Sequence, residues 1–119
     1  REAMMFCDWK LYICGDNGLK FFGKGPQILL YGVERLDSLH QAAAEMNLSY
    51  SKALHMIQTA QESLGFPLLE TKSGGLHGGG SRLTPEARDL LARFAKLEAL
   101  VDESVARHFE EVFGTKSEG

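Results

Sequence analysis

Two short helical patterns joined by one asparagine restrict this chain more than any other stretch. Residues 38–58 read Ser-Leu-His-Gln-Ala-Ala-Ala-Glu-Met-Asn-Leu-Ser-Tyr-Ser-Lys-Ala-Leu-His-Met-Ile-Gln. Ser38 caps the first helix, and Gln41 three residues on completes a capping box. Leu39, Ala42, Ala43 and Met46 form one stripe at helical spacing. The alanines let a second helix cross closely. Asn47 stands where the chain must reverse and tolerates the left-handed conformation. Leu48 plugs the turn, and Ser49 caps a second helix running to about Leu64, with Gly65 as its C-terminal stop. In that helix Ala53, Ile57, Ala60 and Leu64 are the buried repeat. Ser51, Lys52 and His55, with Gln58 or Thr59 a turn later, face the other way. A helix pair whose second member bares its opening turns has the layout of a helix-turn-helix DNA reader. The plain alternative is an amphipathic pair with a solvated polar face.

The chain's size and charge bound what that pair can belong to. At 119 residues with 44% apolar content, a single domain with its own core is expected. No run nears the ~18 apolar residues of a membrane span, and no secretory leader is visible. Cys7 and Cys14 lack the close spacing of a metal or disulfide framework, so a reducing cytoplasm is the expected setting. The net charge of −3 weighs against a nucleic-acid binder. The acid is concentrated in residues 97–119, however, and the remainder is close to neutral. Affinity for DNA is therefore expected to be modest and to fall steeply with salt.

The flanking stretches extend the pattern. Lys10 to Ile13 alternates, Asn17-Gly18 is a hairpin turn, and Leu19-Lys-Phe-Phe22 comes next, so residues 4–23 predict a small β-ribbon with Trp9, Leu11 and Ile13 on one face. Odd spacing puts Cys7 and Cys14 on opposite sides of that strand. Pro26 suits the first turn of a further helix whose stripe is Leu29, Val33 and Leu36. Gly32 costs that helix roughly 1 kcal/mol relative to alanine, a cost explained by close approach of a neighbour. After Gly65, Leu68 to Lys72 and Arg82 to Thr84 predict two strands around Ser73-Gly-Gly-Leu-His-Gly-Gly-Gly-Ser81, a β-hairpin wing. No Gly-Lys-Ser/Thr succeeds the glycines, so a nucleotide-phosphate loop is disfavoured. Thr84-Pro85-Glu86 starts a long helix: a cap, a proline at the first position and an acid at the positive end. Its stripe of Ala87, Leu90, Phe94, Leu97 and Val101, continued by Val105 and Phe109, spans ~25 residues or about 37 Å. That exceeds what a small core covers and points to a partner helix in a symmetric dimer.

These motifs together resemble the N-terminal domain of ModE-type molybdate-responsive transcription regulators, a winged helix distantly similar to the LysR type. The match lies in residues 38–54, in Leu64-Gly-Phe-Pro-Leu-Leu-Glu70, in Gly74-Gly-Leu-His-Gly-Gly-Gly-Ser81 and in Leu83-Thr-Pro-Glu86, within a region from about Lys10 to about Leu100. The resemblance implies a dimeric DNA-binding winged helix in which Ser49, Tyr50, Ser51 and Lys52 open the recognition helix and residues 71–82 form the wing. Two departures stand out. Leu54 occupies a position where the family often has tryptophan, and Leu76 and His77 stand where it carries a basic residue. Molybdate-sensing relatives use a separate C-terminal domain, so DNA binding is carried over and molybdate binding is not.

The expected fold is α+β, mainly α: one winged helix-turn-helix domain over residues 1–119. It comprises an N-terminal β-ribbon (4–23), a three-helix core (25–65), a β-hairpin wing (66–84) and a long C-terminal dimerisation helix (85–112). The expected function is a sequence-specific transcription regulator, acting on double-stranded DNA as a homodimer and lacking its own molybdate domain. Ser49, Tyr50, Ser51, Lys52 and His55 are the candidate base readers. Ser38, Gln41, Lys72, His77, Ser81 and Arg82 are candidate backbone and wing contacts. No cofactor and no metal are expected. The alternatives are a winged-helix protein-interaction module that no longer binds DNA, and a metal or redox sensor built on Cys7, Cys14 and the histidines. No nucleophile sits beside a base and no carboxylate pair is placed for acid–base work, so an enzyme is not expected.

Overall fold

The structure is a computed structural model describing residues 4–71 and 80–114. Eight elements succeed one another in order: β1 (Ile13–Cys14), β2 (Lys20–Phe22), α1 (Lys24–Leu36), α2 (Leu39–Glu45), α3 (Tyr50–Leu64), β3 (Leu69–Thr71), β4 (Ser81–Leu83) and α4 (Pro85–Phe113). The strands form two separate antiparallel hairpins, β1–β2 and β3–β4.

The N-terminal ribbon is shorter than the sequence predicts. The turn closes as expected: Gly18 adopts φ 80° and its N–H donates to the Gly15 carbonyl at 2.9 Å. Pairing then stops after Ile13 meets Phe22 and Cys14 meets Lys20, with a register slip between them. The cause is on the opposite strand. α1 begins at Lys24, directly after β2, so nothing extended remains for the residues before Ile13 to pair with. Residues 4–12 form no strand. They run beside the far half of α4 instead, where the Trp9 indole N–H donates to Asp102 Oδ1 at 3.1 Å. Cys7 and Cys14 are both exposed, and Cys7 belongs to no strand, so the expectation of opposite strand faces does not apply.

The three-helix core forms along the predicted stripes except at their ends: Leu36 and Leu64 are only half-buried, and Leu30, off the predicted stripe, is buried. Leu29, Leu30 and Val33 of α1, Leu39, Ala42 and Ala43 of α2, and Ala53, Ile57 and Ala60 of α3 are buried together. Gly32 has the predicted use. A Cβ built there would lie 2.9 Å from Ala42 Cβ, so α1 and α2 touch at backbone distance. Arg35 locks the same pair from outside with a fork onto Glu45, at 2.8 and 3.1 Å. α1 ends at Asp37, which takes the left-handed conformation (φ 57°) with its N–H on the Val33 carbonyl. Ser38 and Ser49 both cap, accepting from Gln41 N and Lys52 N. Asn47 turns the chain with φ 57° and Gly65 ends α3 with φ 82°.

The second hairpin pairs Leu69 with Leu83, Glu70 with Arg82 and Thr71 with Ser81. Thr84 stitches it to α4. That buried hydroxyl donates to the Pro67 carbonyl at 2.8 Å and accepts from Ala87 N at 3.0 Å, so one side chain closes the wing's root and starts α4. From α4, Ala87, Leu91 and Phe94 enter the core. Phe94 meets Phe22 edge-on, with ring centroids 5.0 Å apart. The sequence put Leu90 on this stripe, but Leu90 is half-buried and Leu91 takes the core position. Glu98 ties α4 back to α1, accepting from Lys24 Nζ at 2.7 Å and Gln27 Nε2 at 2.8 Å. Beyond Phe94 no described residue of α4 is buried. The remaining ~19 residues, about 28 Å of helix, project past the core.

Candidate nucleic-acid interface

The opening of α3 is held by its cap. Ser49 is extended (φ −68°, ψ 156°) and its oxygen receives Lys52 N, leaving the first turn aimed outward with the positive end of the helix dipole at its tip. Ser51, Lys52 and His55 are exposed on one face, with Gln58 exposed a turn later and Thr59 half-buried, while Ala53, Ile57 and Ala60 fill the opposite side. No acidic side chain of the described residues pairs with Lys52, so its full charge is available. Tyr50 differs from its neighbours. Its ring stacks on His40 of α2 with centroids 3.8 Å apart and planes 10° from parallel, which braces the helix pair while leaving 40% of the residue exposed. Sequence reasoning did not single out His40. The signal was a histidine one position after Leu39 on α2's outer face, opposite an aromatic at the start of α3.

A second group gathers where the wing meets α2. Ser81 N donates to the Asp37 carbonyl at 3.2 Å, setting the wing's root beside Ser38 and the exposed Gln41. The Ser38 oxygen is engaged by Gln41 N at 3.0 Å and its hydroxyl proton remains free to donate. Arg82 is exposed but faces its cross-strand neighbour, with Nε 3.7 Å from Glu70 Oε2. That pair is loose and solvent-screened, worth at most about 1 kcal/mol, so Glu70 does not commit the guanidinium. Lys72 and His77, the other expected wing contacts, lie outside the described residues.

The candidate site thus has two parts: the polar opening of α3, and a hairpin root that carries amides, hydroxyls and one cation. Among the described residues no group of three or more His, Cys, Asp or Glu side chains is arranged to hold a metal. Among them, too, no helix is long and apolar enough to cross a membrane.

Such a fold and such a site define a DNA-binding regulatory protein of the winged helix-turn-helix class. Residues 29–88, half of the chain, match the family described as "Bacterial regulatory helix-turn-helix protein, lysR family", and the chain belongs to that family. It is also similar to the molybdenum transport protein ModE of Herbaspirillum seropedicae, 37% identical over 70 residues that cover 59% of this chain and 26% of that protein. The molybdenum-pterin-binding protein MopB of Rhodobacter capsulatus is 37% identical over 71 residues, covering 60% of this chain and 26% of that one. The transcriptional regulator ModE of Haemophilus influenzae is 36% identical over 70 residues, covering 59% and 28%. The chain therefore spans about a quarter of the length of the curated relatives it matches. Among solved structures, a BenM_DBD/catB site 1 DNA complex aligns over 80% of this chain and 97% of that chain, with a TM-score of 0.55 and 23% identity. A BenM_DBD/benA site 1 DNA complex aligns with a TM-score of 0.54 and 24% identity, covering 76% and 97%. At that identity the likeness establishes the fold. Family and fold are those of regulators, which generally carry no enzymatic activity.

Proposed function

We propose that this chain reads a specific duplex sequence as a homodimer, each protomer laying the opening turns of α3 into the major groove. Lys52 and Ser51 meet base edges, His55 lies a turn further in, and Tyr50 presents its ring edge to backbone or a thymine methyl. Ser38, Gln41, Ser81 and Arg82 meet phosphates alongside, with Lys72 and His77 completing the wing. The two protomers join through residues 85–112. The observation that carries this reading is the bare, capped face of α3 with an acid-free Lys52 on it. The DNA complexes named for the structural neighbours support it. The names of the sequence relatives make genes of molybdenum handling the first operators to test. The role is regulatory and not catalytic, and its setting is the cytoplasm.

Lys52 supplies the test. DNA selected by the protein from a random pool is titrated by fluorescence anisotropy at low and moderate salt. Lys52→Ala should lose about 1–3 kcal/mol, roughly five- to 150-fold, and relax the preference at one base pair. Equal binding and equal preference in the variant would remove Lys52 from the reading face. The Glu70 contact on Arg82 and the net charge of −3 favour a second reading, a winged-helix protein-interaction module. Failure of the parent to shift any duplex at low salt would favour that reading over the first.

A further inference from the structure

We infer that the β1–β2 hairpin is a second arm on the DNA backbone, placing the Lys20 ammonium on a phosphate along the wall of the groove opposite the wing. The inference rests on the DNA-binding reading above and adds a contact outside the matched family region, which begins at residue 29. Its starting point is the placement of the two hairpins. The wing's root is bonded to the turn at the C-terminal end of α1, through Ser81 N and the Asp37 carbonyl. The ribbon runs directly into the N-terminal end of α1, where a Cβ on Gly25 would meet Met56 Cε of α3 at 3.4 Å. The 13 residues of α1 separate them, about 20 Å of helix. A helix lodged in the major groove, ~12 Å wide, has a phosphate backbone on each side. The wing reaches one wall, and the other is left to whatever flanks α3 on its far side.

That flank is the ribbon. Lys20 and Tyr12 share an open cleft of about 300 Å³ with His55, Met56 and Thr59 of α3. Positions 52, 55, 56 and 59 are one stripe at helical spacing, so the cleft continues the side of α3 that bears Lys52. Lys20 Nζ stands 4.2 Å from the centre of the Tyr12 ring, a contact that positions the ammonium without neutralising it. Charge accounting separates this lysine from its neighbours. Lys24, Arg35, Arg82, Arg88 and Arg93 each have a carboxylate within 4.0 Å. Among the described residues Lys20 and Lys52 have none, and they lie on the same side of α3; the other acid-free cations are Lys10 in the N-terminal segment and Lys96 and Arg107 along α4.

A phosphate contact carries no sequence information but releases counterions, and that gives the experiment its readout. The full chain is titrated with a mixed-sequence duplex of about 30 base pairs, three helical turns, across a salt series. Lys20→Ala should reduce the slope of log affinity against log salt by about 2 for a bound homodimer, one phosphate from each protomer, leaving sequence preference unchanged. Lys20→Arg should keep the parent slope, and Lys10→Ala, which removes the same charge from the exposed N-terminal segment, should leave it unaltered. Thermal melting of each variant shows that the exposed substitutions leave the fold intact. If Lys20→Ala keeps the parent slope, or if Lys10→Ala lowers it equally, the hairpin is no DNA arm, while the reading of α3 stands. If the parent binds no duplex at low salt, the DNA-binding reading itself fails, and this contact with it.

Discussion

At Gly32 a single missing methyl sets how closely two helices pack. Its Cβ would lie 2.9 Å from Ala42 Cβ, and Ala42 is a rigid neighbour on a helix pinned by the Arg35–Glu45 fork. Two effects oppose each other in Gly32→Ala. Helix propensity improves by about 1 kcal/mol, and overpacking costs about 1–3 kcal/mol. The clash is with side chain and backbone that cannot swing aside, so overpacking wins and the variant should be destabilised by about 1 kcal/mol. Urea unfolding would register this as a lower midpoint at unchanged slope. Adding Ala42→Gly in the Gly32→Ala background should then cost less than Ala42→Gly alone, because it reopens the contact. A Gly32→Ala protein more stable than the parent would show that the helices have room to part.

Between elements, two carboxylates tie α1 to α4: exposed Glu34, which meets Arg88 Nε at 3.3 Å, and the more shielded Glu98. Glu98 is mostly shielded, and burial alone would raise its pKa. Hydrogen bonds from Lys24 Nζ and Gln27 Nε2, together with the lysine charge, outweigh burial and hold it below the ordinary glutamate value of 4.5. A carboxyl with a depressed folded pKa stabilises the native state above its unfolded pKa and loses that contribution as pH falls through the folded one. The parent's stability should therefore begin to drop near pH 4.5 and keep dropping below it. Glu98→Gln lacks this component, so the gap between the two proteins in chemical unfolding should be widest at neutral pH and close in acid. A gap independent of pH would mean the Glu98 charge contributes nothing to the seam. This seam also shows where reading the chain stops. Ser38, Ser49, Thr84, Asn47 and Gly65 were legible because caps and left-handed turns are decided by residues three or four apart. Glu98 with Lys24 and Gln27, Trp9 with Asp102, and Tyr50 with His40 were not legible, since nothing local marks which distant partner a side chain will meet. The ribbon was overextended for the same reason: alternation over Lys10 to Ile13 gave a strand its pattern, and only the start of α1 removed its partner. Leu90 and Leu91, about 100° apart on one helix, were indistinguishable by period, and the packing surface decided between them.

For the whole molecule, the far half of α4 carries the surface that the proposed dimer would use. The radius of gyration is 18.6 Å, against about 13.5 Å for a compact chain of this length, consistent with a helix that outruns its core. One side of that helix is occupied at home. Phe6 and Cys7 share a cleft with Asp102, Val105, Ala106 and Phe109, so the N-terminal segment lies along it. The side left open carries Leu97 and Leu100, 43% and 54% exposed, next to half-buried Val101. Leu90, Phe94, Leu97, Val101, Ser104 and His108 alternate by four and three, the spacing of a helix–helix seam. Leu97 and Leu100 have little to do within one protomer, which makes them the place to test the dimer without testing the fold. A Leu97→Glu, Leu100→Glu double variant should keep its helix content and its melting behaviour at high dilution, yet sediment as a monomer where the parent is a dimer. Two half-sites read by separate monomers lose the gain of a linked second contact, so binding to a two-half-site duplex should weaken far more than binding to a single half-site. If the double variant still sediments as the parent does, the protomers meet elsewhere, and the apolar tip at Val112 and Phe113, 70% and 64% exposed, becomes the surface to alter next.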